Sequence, residues 1–392
     1  MKKILIILAG ILILNACNSK LEKNRPIGKE ANFEDLIHQS EPKTLAEVYF
    51  EHGNIINTQL FPPIVKASDV FKNGKNWLLI DIRSSDAYEQ GHINGAYNIP
   101  KEEILNFLTQ KQKAAAYPKV VFICYSGQTA SYVTGITRYA GFDNTYVMLY
   151  GMAGWNSKFS NSLKKGFGDR YNEMIVKGSN RENLIVTEHH NAHITAFKKN
   201  YDLNKIPQLP KKTPSILIKE QAQKMLKQKR PDFLLKADEF FPELKKDINK
   251  FYTICYLPKP KYYVAHIKGA HQFTPRKDLS LNTRLTDLPI DKPILIYCKT
   301  GHTGGNVAAY LDMLGYDSKN LIFGSASFMY SLWKEKGWIG DINNVINDFP
   351  IVEGKKRTNN KIKALPVKNN IKQTKTPVIK KRKKEEVSGG CG

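Results

Sequence analysis

The strongest constraint on the fold of this 392-residue chain is an internal repeat. The segment GHINGAYNIP at residues 91–100 is matched by AHIKGAHQFTP at residues 265–275. The same offset of 174 residues relates further pairs along the chain: Cys124 and Cys298, Gly127 and Gly301, Thr129 and Thr303, Gly141 and Gly315, Asp143 and Asp317. One constant offset across several elements indicates two copies of one domain, and the length allows two ordinary domains with extensions.

Each copy has the sequence pattern of an α/β domain. Residues 77–80, 120–123 and 294–297 are continuous apolar runs, which is typical of strands buried on both faces. Further stretches predict the helices at residues 130–139 and 306–314 and the closing strands at residues 145–149 and 320–323. Strands that alternate with helices predict a parallel sheet with helices on both faces.

Two cysteine loops are the candidate chemical centres. Cys124 and Cys298 each follow a buried strand and open the sequence Cys-x-x-Gly before a helix-like stretch. A cysteine at the carboxyl edge of a parallel sheet lies where ligands bind. Backbone N–H groups of such a loop and the positive end of the following helix would stabilise a thiolate or a persulfide anion.

With these loops the chain resembles the rhodanese family of sulfurtransferases. The resembling motifs are LIDIR at residues 79–83, GHINGA at 91–96, the loop at 124–129 and GMAGW at 151–155. They cover about residues 62–160 and, more weakly, 216–340. The resemblance implies two rhodanese-like domains, each a parallel five-stranded sheet with helices on both faces, and a transfer of sulfane sulfur through a cysteine persulfide. It implies a small anionic donor such as thiosulfate or polysulfide and a thiol or sulfur-carrier protein as acceptor, without a cofactor.

The resemblance also assigns roles to residues of this sequence. It implies that Cys124 and Cys298 carry the sulfur, that Asp81 and Arg83 form a structural acid–base pair, and that Gln128 and Thr129 contact the anion through their side chains. The anion-binding loops would comprise Tyr125, Ser126, Gly127, Gln128 and Thr129 in the first copy and Lys299, Thr300, Gly301, His302 and Thr303 in the second.

Both loops depart from the family pattern. Many family loops read Cys-x-x-Gly-x-Arg, whereas Thr129 and Thr303 stand at the arginine position here. A guanidinium fork is therefore missing, which puts a preference for thiosulfate in question. Related phosphatases need an arginine at the sixth position after the cysteine, where this chain has Ala130 and Gly304. Phosphatase activity is therefore excluded.

The second copy lacks the acid–base pair. Cys255 and Leu257 stand where the first copy has Asp81 and Arg83. Because adjacent strands are about 4.8 Å apart, we expect Cys255 and Cys298 to lie within disulfide range, with Cys255 as a resolving thiol. A thiol–disulfide redox protein is thus one alternative, and a non-catalytic protein that binds a persulfide or a partner is another.

The N-terminus reads as an export signal. Lys2 and Lys3 precede an apolar run that ends in LNAC at residues 14–17. The run is too short to span a bilayer, which needs about 20 residues, and the motif resembles the lipobox of bacterial lipoproteins. We expect a signal peptide at residues 1–16 and lipid on Cys17, so that the mature protein is a membrane-anchored lipoprotein of the bacterial cell envelope, on the periplasmic side or in the outer membrane.

The remaining segments complete the predicted domain plan. We expect a tether with a helical extension at residues 17–60, domain 1 at 61–165, a linker or insertion at 166–215, domain 2 at 216–345 and a disordered basic tail at 346–392. The tail supplies much of the net charge of +24, which favours anionic partners. For an exported protein we expect no nucleic-acid partner.

The last five residues, SGGCG, resemble the Gly-Gly-Cys-Gly-Gly arm of carrier proteins in bacterial thiosulfate oxidation. Cys391 is therefore a candidate carrier thiol. The histidines at residues 189–193 have no obvious further ligands, so no metal site is predicted. His92 and His266 are expected to be structural and to bond backbone atoms near the end of the sheet.

Overall fold

The computed structural model of the chain describes residues 55–110, 114–178, 214–280, 283–289 and 291–354. Cys17 and Cys391 lie outside the described residues, as do the histidines at 189–193, the signal sequence, most of the predicted linker and the chain beyond residue 354. Within the described ranges, every helix is too short or too polar to cross a bilayer.

Domain 1 contains a five-stranded parallel sheet in the order β1-β5-β4-β2-β3. The apolar run that ends at Ile123 forms its central strand, which confirms the prediction of a strand buried on both faces. The strands are β1 Ile64–Val65, β2 Leu78–Asp81, β3 Tyr97–Asn98, β4 Val120–Ile123 and β5 Thr145–Met148. The helices are α1 Ala67–Asn73, α2 Ser85–Glu89, α3 Ile104–Gln110, α4 Gln128–Tyr139, α5 Gly151–Trp155 and α6 Asn161–Gly166.

Domain 2 repeats this arrangement in a second parallel sheet, in the order β10-β8-β11-β12-β7. The strands of this sheet are β7 Leu234–Leu235, β8 Tyr252–Cys255, β10 His271–Gln272, β11 Ile294–Tyr297 and β12 Ser318–Leu321. A separate two-stranded sheet is formed by β6 Ile175–Lys177 and β9 Ala265–Ile267. The helices are α7 Pro214–Leu226, α8 Arg230–Phe233, α9 Ala237–Lys246, α10 Lys259–Val264, α11 His302–Met313 and α12 Tyr330–Glu335. The closing strand β12 begins two residues earlier than the sequence predicts.

The two domains pack through the helices that follow their cysteine loops. α4 and α11 contact each other, and each also packs on strands of its own sheet. Almost every residue of both helices is therefore buried, unlike a surface helix with one polar face. A Cβ atom at Gly135 would lie 2.6 Å from the Cβ of Ala309, so glycine permits the close approach of the two helices. Because each helix begins directly after its cysteine loop, the helix–helix contact links the two loops.

The segment after each domain pairs with the opposite domain. β6, at residues 175–177, pairs antiparallel with β9 of domain 2, where Val176 lies opposite His266. Residues 346–354 return to domain 1, where Val352 and His92 exchange two backbone hydrogen bonds of 2.9 Å each. The start of the predicted linker and the start of the predicted tail are thus ordered parts of the fold.

The returning segment, residues 346–354, is held by packing as well as by hydrogen bonds. Phe349 stacks on Phe71 with ring centroids 4.3 Å apart, and the Trp155 indole N–H donates to the Pro350 carbonyl at 2.9 Å. The prediction of a disordered tail from residue 346 is therefore wrong for residues 346–354. Within this segment Phe349 and Ile351 are partly buried against the core of domain 1.

Candidate functional site

The Cys124 loop directs backbone N–H groups at its sulfur. Cys124 follows the last residue of β4 and is 4% exposed. Its Sγ accepts hydrogen bonds from the N–H groups of Gly127 at 3.1 Å and Ala130 at 3.4 Å. Gly127 has a φ of 81°, a left-handed conformation that turns the loop into the first turn of α4. Gly127 is thus one of the predicted loop donors, whereas Ala130, one residue beyond the predicted loop, supplies a donor that the sequence did not assign.

The electrostatic environment of Cys124 contains opposing effects. Burial raises the pKa of the Cys124 thiol, whereas the N–H groups of Ala130, Ser126 and Gly127 lower it and the Asp81 carboxylate raises it. Burial has the largest effect because a charged sulfur loses its hydration in the loop. The loop thus provides the donors that an anion needs but keeps the resting cysteine protonated to a higher pH than a free thiol.

The Cys298 loop has a similar backbone but different exposed side chains at its edge, which we call its rim. Cys298 is 3% exposed, and its Sγ accepts a hydrogen bond from the Gly304 N–H at 3.3 Å. Lys299 stands at the position of Tyr125, and its ammonium donates to the Trp338 carbonyl at 3.0 Å. Thr129 and Thr303, at the position of the family arginine, are both partly exposed beside their loops.

A second turn fixes each cysteine loop from behind. In domain 1 the N–H groups of Met152 and Ala153 donate to the carbonyls of Cys124 and Tyr125 at 2.9 and 2.8 Å. In domain 2 Ser325 donates to the Cys298 carbonyl at 2.8 Å, and Ala326 donates to Lys299 at 3.0 Å. The residue two before the first donor is left-handed in both copies, with φ of 61° at Tyr150 and 62° at Phe323. The loop and this turn behave as one backbone unit.

Asp81 and Arg83 form the structural pair that the resemblance implies. Both side chains are fully buried, and the Arg83 Nη2 lies 2.6 Å from the Asp81 Oδ2. The Arg83 Nε donates to Oδ1 at 3.0 Å, and Nη2 also donates to the Gly91 carbonyl at 2.8 Å. The guanidinium carbon lies 5.7 Å from the centre of the Tyr125 ring, at the rim of the loop. The pair therefore braces the backbone beside the loop.

Cys255 lies close enough to Cys298 for a charge on Cys298 to raise the pKa of the Cys255 thiol, but the two thiols are not bonded. The sheet register places Cys255 opposite Tyr297 instead of Cys298. Burial raises the pKa of the Cys255 thiol to about 12, and both cysteines are free. The side chain of Cys255 packs with Tyr297 in the apolar core, and because successive side chains of a strand point to opposite faces, Cys298 faces the other side of the sheet. This arrangement disfavours the thiol–disulfide alternative.

Two side chains of the predicted anion loops point away from the cysteines. The Gln128 amide donates to the Thr300 carbonyl of the other domain at 3.1 Å, and its oxygen accepts the Phe323 N–H at 3.2 Å. The His302 Nε2 accepts the Tyr150 N–H of domain 1 at 3.0 Å. The expected contact of the Gln128 side chain with an anion is therefore wrong, because the docking of the domains engages both of its polar atoms.

Lys261 lies within electrostatic range of Lys299 in the second loop, although no sequence motif marks it. The Lys261 ammonium lies 4.9 Å from the centre of the Trp338 ring, and the carbonyl of Trp338 accepts a hydrogen bond from Lys299. Burial lowers the pKa of Lys261, and the nearby charge of Lys299 lowers it further. At the offset of 174 residues the first copy has Ala87. Comparing charges between the two copies, in addition to identities, would have revealed this cationic pair.

The two repeated histidines are structural, as predicted. The Nδ1 of His92 lies 2.9 Å from the Tyr88 carbonyl, and the Nδ1 of His266 lies 2.9 Å from the Tyr262 carbonyl. Each imidazole stacks on the ring of the same tyrosine. Burial lowers the pKa of both histidines. Among the described residues, no cluster of three or more His, Cys, Asp or Glu side chains could hold a metal ion.

In comparisons with known proteins, one family model matches both copies. The family model described as "Rhodanese-like domain" matches residues 68–158 and 247–329. An uncharacterized protein of Buchnera aphidicola is 33% identical over 86 residues, which are 22% of this chain and 58% of that protein. The alignment thus spans less than two thirds of this relative. The thiosulfate sulfurtransferase GlpE of Shewanella oneidensis is 29% identical over 82 residues, which are 21% of this chain and 78% of the relative.

Two solved structures also match more than half of this chain, at low sequence identity. A thiosulfate sulfurtransferase from Pseudomonas aeruginosa matches 73% of this chain and 47% of its own, at 14% identity and a TM-score of 0.24. The 3-mercaptopyruvate sulfotransferase SseA from Escherichia coli matches 66% of this chain and 97% of its own, at 15% identity and a TM-score of 0.22.

Proposed function

We propose, from the premise that this chain carries two rhodanese-like domains, that it is a sulfurtransferase in which Cys124 carries sulfane sulfur as a persulfide. The observation that carries this proposal is the pair of backbone N–H groups from Gly127 and Ala130 on the Cys124 Sγ. They stand at the start of a twelve-residue helix, whose positive end favours an anion. The sulfurtransferases among the relatives support the same reaction class.

The reaction consists of two displacements at sulfur. The Cys124 thiolate attacks the outer sulfur of thiosulfate, the sulfur–sulfur bond breaks, and its electron pair leaves with sulfite. An acceptor thiolate then attacks the outer sulfur of the Cys124 persulfide, and Cys124 leaves as a thiolate. The acceptor ends as a persulfide, so the cycle needs no further oxidant or reductant. The loop N–H groups stabilise the negative charge on sulfur in both steps.

Domain 2 supplies a second transfer station at Cys298. Its sulfur accepts one backbone N–H from Gly304. The ammonium groups of Lys299 and Lys261 both contact Trp338, the first at its carbonyl and the second at its ring. These cations suit an anionic donor such as thiosulfate or a polysulfide.

Intact-mass analysis with peptide mapping tests the transfer. Reduced protein treated with thiosulfate or a polysulfide should gain about 32 Da on Cys124, as one added sulfur requires, and cyanide should remove it. The Cys124→Ser variant should lose that adduct and keep any adduct on Cys298, with the reverse in Cys298→Ser. A wild-type protein that takes up no sulfur on either cysteine from any donor would overturn the proposal.

The site of action in the proposal is the bacterial cell envelope, with lipid on Cys17 as the membrane anchor. The basic and apolar residues before Cys17 and the LNAC motif support it. Metabolic labelling with palmitate should mark the wild-type protein and leave Cys17→Ser unlabelled. Equal labelling of both proteins would remove Cys17 as the attachment site.

The carrier role of Cys391 is a further part of the proposal and rests on the terminal sequence SGGCG. Deleting residues 388–392 should leave persulfide formation on Cys124 intact and slow delivery to an acceptor protein several-fold, since a tethered thiol raises effective concentration. Unchanged delivery would remove Cys391 from the transfer route.

A further inference from the structure

The first side chain of each interface helix reaches into the other domain. We infer that Gln128 and His302 are positioning residues, each of which holds the sulfur loop of the opposite domain, so that the reactivity of each cysteine depends on a side chain from its neighbour. The inference deepens the proposed function and rests on it for the identity of the transferred group. Gln128 and His302 occupy the same position of the repeat, 174 residues apart.

Gln128 belongs to domain 1 and supports the Cys298 loop. It is 2% exposed, and its amide is bonded to the Thr300 carbonyl inside that loop at 3.1 Å. Its oxygen accepts the N–H of Phe323 at 3.2 Å. Phe323 lies two residues before Ser325, whose N–H holds the Cys298 carbonyl. The Gln128 side chain therefore connects the Cys298 loop with the turn that supports it.

His302 belongs to domain 2 and supports the Cys124 loop in the same way. It is fully buried, and its Nε2 accepts the Tyr150 N–H at 3.0 Å. Because that nitrogen accepts, the proton must be on Nδ1, which lies 3.2 Å from the Thr300 hydroxyl. Burial lowers the pKa of His302 to about 4, so the imidazole is neutral and able to accept at neutral pH. Tyr150 lies two residues before Met152, whose N–H holds the Cys124 carbonyl.

Both loops leave room for the side chain of the opposite helix. A Cβ atom at Gly127 would lie 2.4 Å from the His302 Nε2, and one at Gly301 would lie 2.0 Å from the Gln128 Oε1. Glycine is thus needed at both positions for the left-handed turn and also for the crossing side chain. The exchange is reciprocal, and it uses two different side chains that share one property, an acceptor atom for a backbone N–H.

The crossing acceptors hold residues that the backbone alone does not favour. Tyr150 and Phe323 have φ values of 61° and 62°, which non-glycine residues rarely adopt. Removing the acceptor would leave the buried N–H group of the strained residue itself without its partner. The turn would relax, the cysteine carbonyl would move with it, and the N–H groups on the sulfur would lose their alignment.

Alanine variants with a crossed readout test the inference. Gln128→Ala removes the hydrogen bonds to the Thr300 carbonyl and from the Phe323 N–H, so it should slow sulfur uptake from a polysulfide at Cys298 about fivefold to tenfold and should change Cys124 less. His302→Ala should slow uptake at Cys124 by a similar factor and should change Cys298 less. The rates at the two cysteines are read from the same digest by peptide mass mapping.

Conservative exchange separates positioning from simple packing. Gln128→His and His302→Gln each retain an acceptor for the opposite N–H and should recover at least half of the lost rate. Tyr132→Phe is the matched control, because it removes an interface hydrogen bond to Asp312 that touches neither loop. Both cysteines should react at the wild-type rate in that variant.

Several outcomes would overturn the inference. It fails if Gln128→Ala slows Cys124 as much as Cys298, or if Tyr132→Phe reproduces the effect of the alanine variants. Alkylation by iodoacetamide, measured in parallel, keeps the test separate from the proposed function. If the wild-type cysteines take up no sulfur but the alkylation rates show the crossed pattern, the proposed function fails and the positioning role stands.

Discussion

In domain 1 the strand beside the cysteine loop ends in the buried ion pair of Asp81 and Arg83, whereas in domain 2 the same positions hold Cys255 and Leu257. Both solutions are fully buried or nearly so. One braces the loop with charge-assisted hydrogen bonds to the backbone, and the other does so with apolar packing around Tyr297. The same backbone can therefore be stabilised by either kind of interaction beside the loop.

At the rims of the loops it is domain 2, and not domain 1, that carries the charged side chains. Tyr125, 51% exposed, stands beside Cys124, whereas Lys299 stands beside Cys298 and is joined there by Lys261. Domain 1 thus keeps its cation buried and engaged in structure, and domain 2 places its cations near the surface. The rim of the second loop therefore carries positive charge that the rim of the first loop lacks.

Breaking the buried pair should have the largest effect. Asp81→Ala leaves the Arg83 guanidinium buried without its partner and should lower the free energy of unfolding of domain 1 by about 3–5 kcal/mol. Hydrogen exchange of peptides from each domain, followed through a urea titration, measures this change domain by domain.

The second domain supplies the matched control for that variant. Asp81→Cys combined with Arg83→Leu transfers the pair found in domain 2 and should regain much of the lost stability, since apolar residues often replace a buried ion pair without loss. If the single variant were as stable as the wild type, the two solutions would not differ in the way proposed.

The pH dependence of Cys124 should be the next largest effect. Burial raises its pKa above the ordinary value, so the reactive thiolate is scarce at neutral pH. Alkylation of Cys124 by iodoacetamide should accelerate about tenfold per unit between pH 7 and 9, as expected for a thiol below its pKa. Peptide mapping follows Cys298 in the same samples. A rate of Cys124 alkylation that is flat over this range would show that the loop N–H groups outweigh burial.

Introducing an arginine at the family position should have a smaller effect, on the rate of thiosulfate uptake. Thr129→Arg should raise the rate of thiosulfate uptake at Cys124 about tenfold, because a charge-assisted hydrogen bond to the donor is gained. Thr303→Arg should gain less at Cys298, where Lys299 and Lys261 already supply positive charge. Thr129→Met controls for side-chain length, and a gain equal to that of Thr129→Arg would rule out charge as the cause.

Exchanging the rim residues should have the smallest effect. Tyr125→Lys should raise thiosulfate uptake at Cys124 a few-fold, and Lys299→Tyr should lower it at Cys298 by a similar factor. Both changes should fade as ionic strength rises to 1 M, where the screening length falls to about 3 Å. Rates that shift equally at high and low salt would point to shape instead of charge.

The repeat made most of the fold predictable. A constant offset and buried apolar runs were sufficient for two α/β domains with parallel sheets and for the position of both cysteines, and the resemblance to the rhodanese family added the number of five strands per sheet. The partners of Gln128 and His302 were not predictable, because they depend on how the domains dock and not on local sequence. The spacing of strands placed Cys255 near Cys298 but did not give the register, which puts Tyr297 opposite it.

The order of residues 346–354 was hidden by their neighbours. Thirteen lysines and arginines with two glutamates at residues 355–386 dominate the composition of the predicted tail. The preceding residues include Phe349 and Ile351, which pack with domain 1. Averaging over the whole segment removed the signal of a short apolar stretch.

The exchange of trailing segments makes the chain resemble a fused dimer. Val176 follows domain 1 and pairs with His266, and Val352 follows domain 2 and pairs with His92. This is the self-complementary pattern of a domain-swapped dimer, in which each subunit lends the same element to the other. A cut between residues 178 and 214 would therefore not release two independent domains. Each half would keep the segment that pairs with the other half and would lack the segment that pairs with itself.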